Sequence, residues 1–101
     1  MRHQARNVDF RKALRLIDGQ THVPVEVRQK AFACWVALFE FADDQLQIET
    51  SARKLAESAG VTRVTWIHYR SVMEQSGLLQ IVTGSHGPNP QVLRLTPPHV
   101  H

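Results

Sequence analysis

Apolar side chains along this chain follow two rhythms, a helical one through most of its length and a partial alternation near its end. From Val8 to Asp18, the residues Phe10, Ala13, Leu14 and Ile17 share one face of a helix, and Gly19 is its stop. After the connector GQTHVP, Pro24 opens a longer helix that the pattern carries to about Asp43. Proline suits a first turn, where an N–H has no intrahelical partner. Along this helix Val27, Ala31, Cys34, Trp35, Leu38, Phe41 and Ala42 keep the helical period, while Phe32, Val36 and Phe39 fall outside that stripe. The helix is therefore apolar on two sides, and its second side calls for cover from the N-terminal helix or from another subunit. A homodimer contact through Phe32, Val36 and Phe39 is the expectation that follows.

Beyond the acidic DDQ turn, LQIET reads as a short strand. Thr50 or Ser51 then caps a helix through about Ala59, the hydroxyl accepting a free N–H of the first turn. Gly60 takes the left-handed stop position and Val61 packs back as the apolar residue after it. Thr62 caps a further helix to about Ser76, where Gly77 and Leu78 repeat the stop, Leu78 closing onto Met73. LLQIVT and QVLRLT read as strands, GSHGPNP between them as a turn-forming loop, and PPHVH as a fraying end. No internal repeat, low-complexity tract or interdomain linker interrupts the order, which defines an α+β chain that is mostly α.

The helix over 62–76 separates sharply into two faces. At ~100° per residue, with Met73 at the centre of the buried side, Trp66 and Tyr69 fall beside it and Arg70 at its edge. The aromatics are assigned to the core, where large rings at helical spacing are usually found. Val64, Ile67, His68 and Ser71 fall opposite, with Arg63 and Thr65 on the flanks. A solvated face would carry Lys, Glu or Gln, so two aliphatic residues there need either a cover or a partner.

From about residue 25 to 96 the chain resembles a winged helix-turn-helix domain, as found in bacterial transcription regulators and in plasmid or phage replication initiators. LAESAGVTR carries the turn, with Ala56 letting two helices approach and Gly60 reversing the chain. VMEQSGLLQI matches the end of a recognition helix leading into a wing, and GSHGPNP lies where the wing tip would be. The resemblance implies a three-helix core plus a β-hairpin wing, here with an extra N-terminal helix. It divides the chain into a basic N-terminal extension with a short helix (1–23), the winged domain (24–96) and a frayed tail (97–101). It also implies sequence-specific binding of double-stranded DNA, with the helix over 62–76 in the major groove and transcription regulation as the role.

On that reading Val64 and Ile67 meet thymine methyl groups, while Arg63 and His68 donate to guanine O6 and N7. Ser71 and the hydroxyls of Thr50, Ser51 and Thr62 reach phosphates, as do the free N–H groups at both helix starts, and Thr65 on the flank is a further DNA-binding candidate. His86 and Asn89 are the wing candidates, although the tip lacks the Arg or Lys that a minor groove favours. Arg70 stands where related domains usually have Leu, and Glu74, one turn on, is its expected partner. The alternatives are a replication initiator's DNA-binding domain, and a winged-helix protein-interaction module that binds a protein in a larger assembly through the Val64/Ile67 face.

Composition narrows the field further. The chain has 101 residues, 43% of them hydrophobic and 21% charged, the size and make-up of one small globular domain. Its net charge is only +3, but residues 1–18 carry five basic against two acidic side chains, and 19–50 two basic against five acidic. The basic excess thus lies at the N-terminus and around 51–76, where MRHQARNVDFRKALR can add salt-dependent affinity for phosphates. The most apolar stretch, Ala31–Ala42, is interrupted by Glu40 and too short to span a bilayer, and the charged start lacks the apolar run of a secretory signal. With its lone Cys34 unable to form an internal disulfide, the chain fits the reducing cytoplasm. Of the six His only the terminal HVH forms a close pair, without Cys-x-x-Cys or His-x-x-x-His spacing, so neither metal nor cofactor is expected. Nothing resembles a nucleophile elbow or a phosphate-cradling glycine loop, and enzymatic activity is not expected.

Overall fold

A computed structural model describes residues 7–83 and 91–100. Its elements run α1 (Phe10–Asp18), α2 (Val25–Leu38), β1 (Gln47–Thr50), α3 (Ala52–Ala59), α4 (Arg63–Gln75), β2 (Leu79–Thr83) and β3 (Gln91–Leu95). The chain is thus α+β and mostly helical, with a three-stranded antiparallel sheet in the order β1-β3-β2.

The helix ends follow local chemistry. Asp9 caps α1, accepting the Lys12 N–H at 3.0 Å, so that helix opens at Phe10 rather than Val8. Ser51 and Thr62 cap α3 and α4 in the same way. Gly60 closes α3 at φ 71°, and the N–H groups of Gly60 and Val61 return to the carbonyls of Glu57 and Ala56. Gly77, at φ 76°, closes the turn after α4, where the Leu78 N–H reaches Met73 O at 3.0 Å.

The long helix is shorter than its apolar pattern suggests. α2 stops at Leu38, and residues 39–42 continue as tight turns bonded three residues back. Asp43 Oδ1 then collects the N–H groups of Gln45 and Gln47 at 2.8 and 3.0 Å, which turns the chain into β1. Leu46, at φ 62°, takes a left-handed conformation inside this turn, with its carbonyl accepting from Leu95 N–H at 2.8 Å.

One apolar core joins all the elements. Trp35 and Trp66 are its largest members, and the Trp35 indole N–H is satisfied by Leu78 O at 2.9 Å. That bond pins the last turn of α2 to the turn between α4 and β2. On the sheet, Ile48 and Leu93 are paired and buried together. Gln20, in the connector after α1, donates from Nε2 to Val72 O at 2.7 Å and to Ser76 Oγ, tying α1 to the end of α4.

Two sequence expectations are corrected here. The described part of the N-terminal stretch, residues 7–23, is not an extension apart from a domain: Val8, Ala13 and Ile17 belong to the common core. Residues 97–100 do not fray either. Val8 and His99 form an antiparallel bridge, Asp9 N–H donates to Pro98 O and Val100 N–H to Asn7 O, each at 2.8 Å, and Pro97 is buried. The prolines lack donors of their own, but the Pro98 carbonyl serves the N-terminal segment as an acceptor.

The second apolar side of α2 is covered from within the chain. Phe10 of α1 meets Trp35 and Phe39 edge-on, each with ring centroids 6.0 Å apart, and Phe32 stacks on Trp35 at 6.2 Å. Phe39 is left 3% exposed, so it is not available as a dimer contact in this arrangement; Phe32 and Val36 stay half-buried against the core. Among the described residues, no helix is long and apolar enough to cross a membrane.

Candidate nucleic-acid interface

α4 owes its two-faced character to its own sequence. Trp66, Tyr69, Val72 and Met73 recur at helical spacing and are all buried. The other face follows the wheel drawn from the sequence: Arg63, Val64, Ile67 and His68 are exposed, and Thr65 and Ser71 are half-buried at the margins. Val64 is 78% exposed and Ile67 37%, so no described part of the chain covers this apolar pair. Arg63 makes no ion pair among the described residues, which leaves its guanidinium free for another molecule.

α3 lies beside α4, and Ala56 on α3 is buried, a small side chain that suits a close helix approach. The first turns of both helices carry the hydroxyls expected from the sequence, but the roles are divided differently. Thr50 is the last residue of β1, half-buried and paired with Gln91, and takes no part in capping. Ser51 Oγ accepts the Lys54 N–H at 3.1 Å, which leaves its hydroxyl proton able to donate outward. Thr62 Oγ1 accepts the Thr65 N–H at 3.1 Å and donates to Thr65 Oγ1 at 2.9 Å. Donation to an anion passes in consequence from Thr62 to the Thr65 hydroxyl. Ser71 Oγ is engaged by Gln75 Nε2 at 3.4 Å.

Three features refine the sequence reading or lie beyond it. Arg53 and Lys54 sit exposed in the first turn of α3, where they bring positive charge beside the Ser51 cap; Arg53 also pairs with Glu57 at 3.3 Å. Arg70 turns away from Glu74 and donates instead to Gln91 Oε1 on β3. That correction has a plain cause, since the sheet brings a buried amide to the flank of α4 whereas Glu74 is exposed to water. The third is an apolar cavity of about 230 Å³ between α2 and α3, lined by Ala33, Cys34, Ala37, Phe41, Ala59 and Trp66. Three alanines in facing positions leave this space unfilled. Burial pushes the Cys34 thiol up from its ordinary range, favouring its neutral form.

His86 and Asn89 lie outside the described residues. So do residues 1–6, which hold much of the basic start. Among the described residues no group of three or more His, Cys, Asp or Glu is placed to hold a metal ion.

The chain matches no protein-family model, and no curated protein shows significant similarity to it. The functional reading therefore stands on the geometry alone.

Proposed function

We propose that this chain is a winged helix-turn-helix protein that binds double-stranded DNA sequence-specifically, with α4 in the major groove, as a regulator of transcription. The observation that carries the reading is the uncovered outer face of α4. Val64 is 78% exposed beside the exposed Arg63, Ile67 and His68, on a helix whose opposite face is locked into the core. Exposed aliphatic groups flanked by hydrogen-bond donors match the edges of base pairs, where thymine presents a methyl and guanine presents O6 and N7. The order of elements supports the fold: two adjacent helices joined by a left-handed glycine turn, then a β2–β3 ribbon paired through β3 to β1. Ser51, Thr65 and the N-terminal N–H groups of α3 and α4 supply phosphate contacts on either side of the base-reading face. Two copies on two-fold-related half-sites would double the base contacts that one small domain offers.

Origin recognition by a replication initiator would use the same interface, and the position of the recovered sites in the genome of origin separates the two roles. The lack of acidic or Lys residues around Val64 and Ile67 also suits a protein partner, which is the second reading. The test is selection of bound duplexes from a randomised library at near-physiological salt, repeated with Arg63→Ala and His68→Ala. Enrichment of a motif, with a loss of about 1–3 kcal/mol for Arg63→Ala on the preferred site and no change in folding, supports DNA readout. Undiminished DNA binding by the double variant overturns it and turns attention to a protein on the Val64/Ile67 face.

A further inference from the structure

Between α2 and α3 the surface is hollowed by side chains too small to fill it. Ala33 and Ala37, one turn apart on α2, and Ala59 at the end of α3 are exposed and line the hollow of about 230 Å³. Trp66 of α4 lines it too and is buried, so α4 is the floor and the two alanine-bearing helices are the walls. A second hollow of about 370 Å³ shares Ala33, Cys34 and Ala59 with the first and extends to Lys30, Val61 and Tyr69. The walls run in opposite directions, with Lys30 and Val61 at one end and Phe41 and Leu55 at the other. The two hollows therefore form one groove, apolar along its length and cationic at one end.

Two polar groups along this groove lack partners. The Trp66 indole N–H is buried without an acceptor among the described residues, whereas that of Trp35 is held by Leu78 O at 2.9 Å. A buried donor left unpaired costs free energy that a ligand oxygen would recover. Lys30, exposed at the other end, makes no ion pair among the described residues. Size narrows the occupant further. An apolar cavity of about 150 Å³ accepts one benzene ring, so the hollow over Trp66 has room for two fused rings, but a helix is far too wide for it.

We propose that this groove is a binding site for a small two-ring aromatic carboxylate. The rings lie over Trp66 between the alanine walls, the carboxylate pairs with Lys30, and an oxygen on the far ring accepts the Trp66 N–H. That N–H is closed to water as the ring stands, so the bond forms with a small tilt of the indole toward the groove. Burial of the rings supplies most of the affinity, because an ion pair to an exposed lysine is screened by water and chiefly sets the ligand's direction. The site stands apart from the DNA-binding reading, and its test needs no duplex.

The experiment titrates the full chain with 6-hydroxy-2-naphthoate, and with 2-naphthol as the analogue lacking the carboxylate, by calorimetry and by the NMR signals of the two indole N–H groups. The acid should bind one-to-one with a dissociation constant on the order of 0.1 mM, within the reach of a ligand of this size. The Trp66 indole signal should move while that of Trp35, already bonded to Leu78 O, stays in place. Ala33→Leu and Ala59→Leu, one from each wall, should each weaken binding at least tenfold; both positions are exposed, so melting temperatures should hold. Lys30→Met should weaken the acid by about threefold and leave 2-naphthol unchanged. No saturable binding up to several millimolar overturns the proposal, as does undiminished binding by both leucine variants. An equal loss of acid and naphthol on Lys30→Met, or a shift of the Trp35 signal in place of Trp66, overturns the assigned orientation and with it the carboxylate class.

Discussion

Two glycines at helix ends, Gly60 and Gly19, should respond oppositely to the same substitution. Gly60 closes α3 at φ 71° and ψ 29°, a region where a β-carbon crowds the following carbonyl oxygen, and Ala there costs about 1–2 kcal/mol. A β-carbon added at Gly60 would have nothing within 4 Å, so tertiary clashes add nothing and no neighbour has to move. The reduced freedom of the unfolded chain returns about 0.4–1 kcal/mol. Gly60→Ala should therefore destabilise by about 1 kcal/mol, which for a domain of this size lowers the melting temperature by roughly 4–8 °C. Gly19 ends α1 at φ −66° and ψ −17°, an ordinary right-handed conformation, and a β-carbon there would meet Leu16 O at 3.4 Å and Arg15 O at 3.5 Å, which is van der Waals contact. Only the unfolded-state term applies, and Gly19→Ala should be neutral or stabilising by about 0.4–1 kcal/mol. Urea unfolding followed by the fluorescence of Trp35 and Trp66, both buried, measures the difference directly. A Gly60→Ala variant at least as stable as Gly19→Ala would refute the reasoning, and with it the left-handed turn that sets α3 against α4.

Two further outcomes follow from burial. Val64→Ala should change stability by no more than about 0.5 kcal/mol because the side chain is mostly in water, whereas Phe39→Ala should cost about 3–5 kcal/mol by opening the Phe10–Trp35–Phe39 cluster; urea midpoints separate the two, and similar costs would mean the faces of α2 and α4 are misassigned. The Cys34 thiol, raised by desolvation, loses its proton less readily folded than unfolded, so its contribution to stability is complete below the ordinary thiol range and disappears as pH rises through the folded value. Cys34→Ala should therefore lose less stability than the unmodified chain on going to alkaline pH, and identical alkaline profiles would rule the effect out.

What could be read from the sequence was what neighbouring residues decide among themselves. The caps at Ser51 and Thr62 and the left-handed stops at Gly60 and Gly77 are set by hydroxyls and glycines within four residues of the helix ends. The wheel centred on Met73 separated Trp66 and Tyr69 from Val64, Ile67 and His68 because one helix face has only one core to meet. Contacts set by distant parts of the chain were beyond such reading. The apolar pattern runs on past Leu38, but the carboxylate of Asp43 and the demands of β1 end the helix there. Of the two covers the pattern allowed for the second side of α2, the N-terminal helix or another subunit, it is the N-terminal helix that supplies one, through Phe10, and only the folded chain could decide between them. Arg70 has a plausible local partner in Glu74 and takes a remote one, Gln91, because only the sheet brings that amide alongside. A proline-rich tail reads as loose until the segment that accepts it, Asn7–Asp9, is in place.

The bridge between Val8 and His99 has a topological consequence. Paired antiparallel backbones lie about 5 Å apart, so the chain leaves the fold within a strand's width of where it enters. A short linker could join those two crossings into a closed ring without disturbing the core, and new ends could then be opened at an exposed turn such as the one around Asp44 and Gln45. The same closeness would let the folded unit be carried in a surface loop of a host protein, because the host would see an insertion whose two attachment points are already side by side. The pairing closes a loop that spans most of the chain, the longest closure among the described strand pairings and so the one with the largest loop-entropy cost. A permuted chain would make that pairing local, and would move the longest closure to whichever elements had been separated instead.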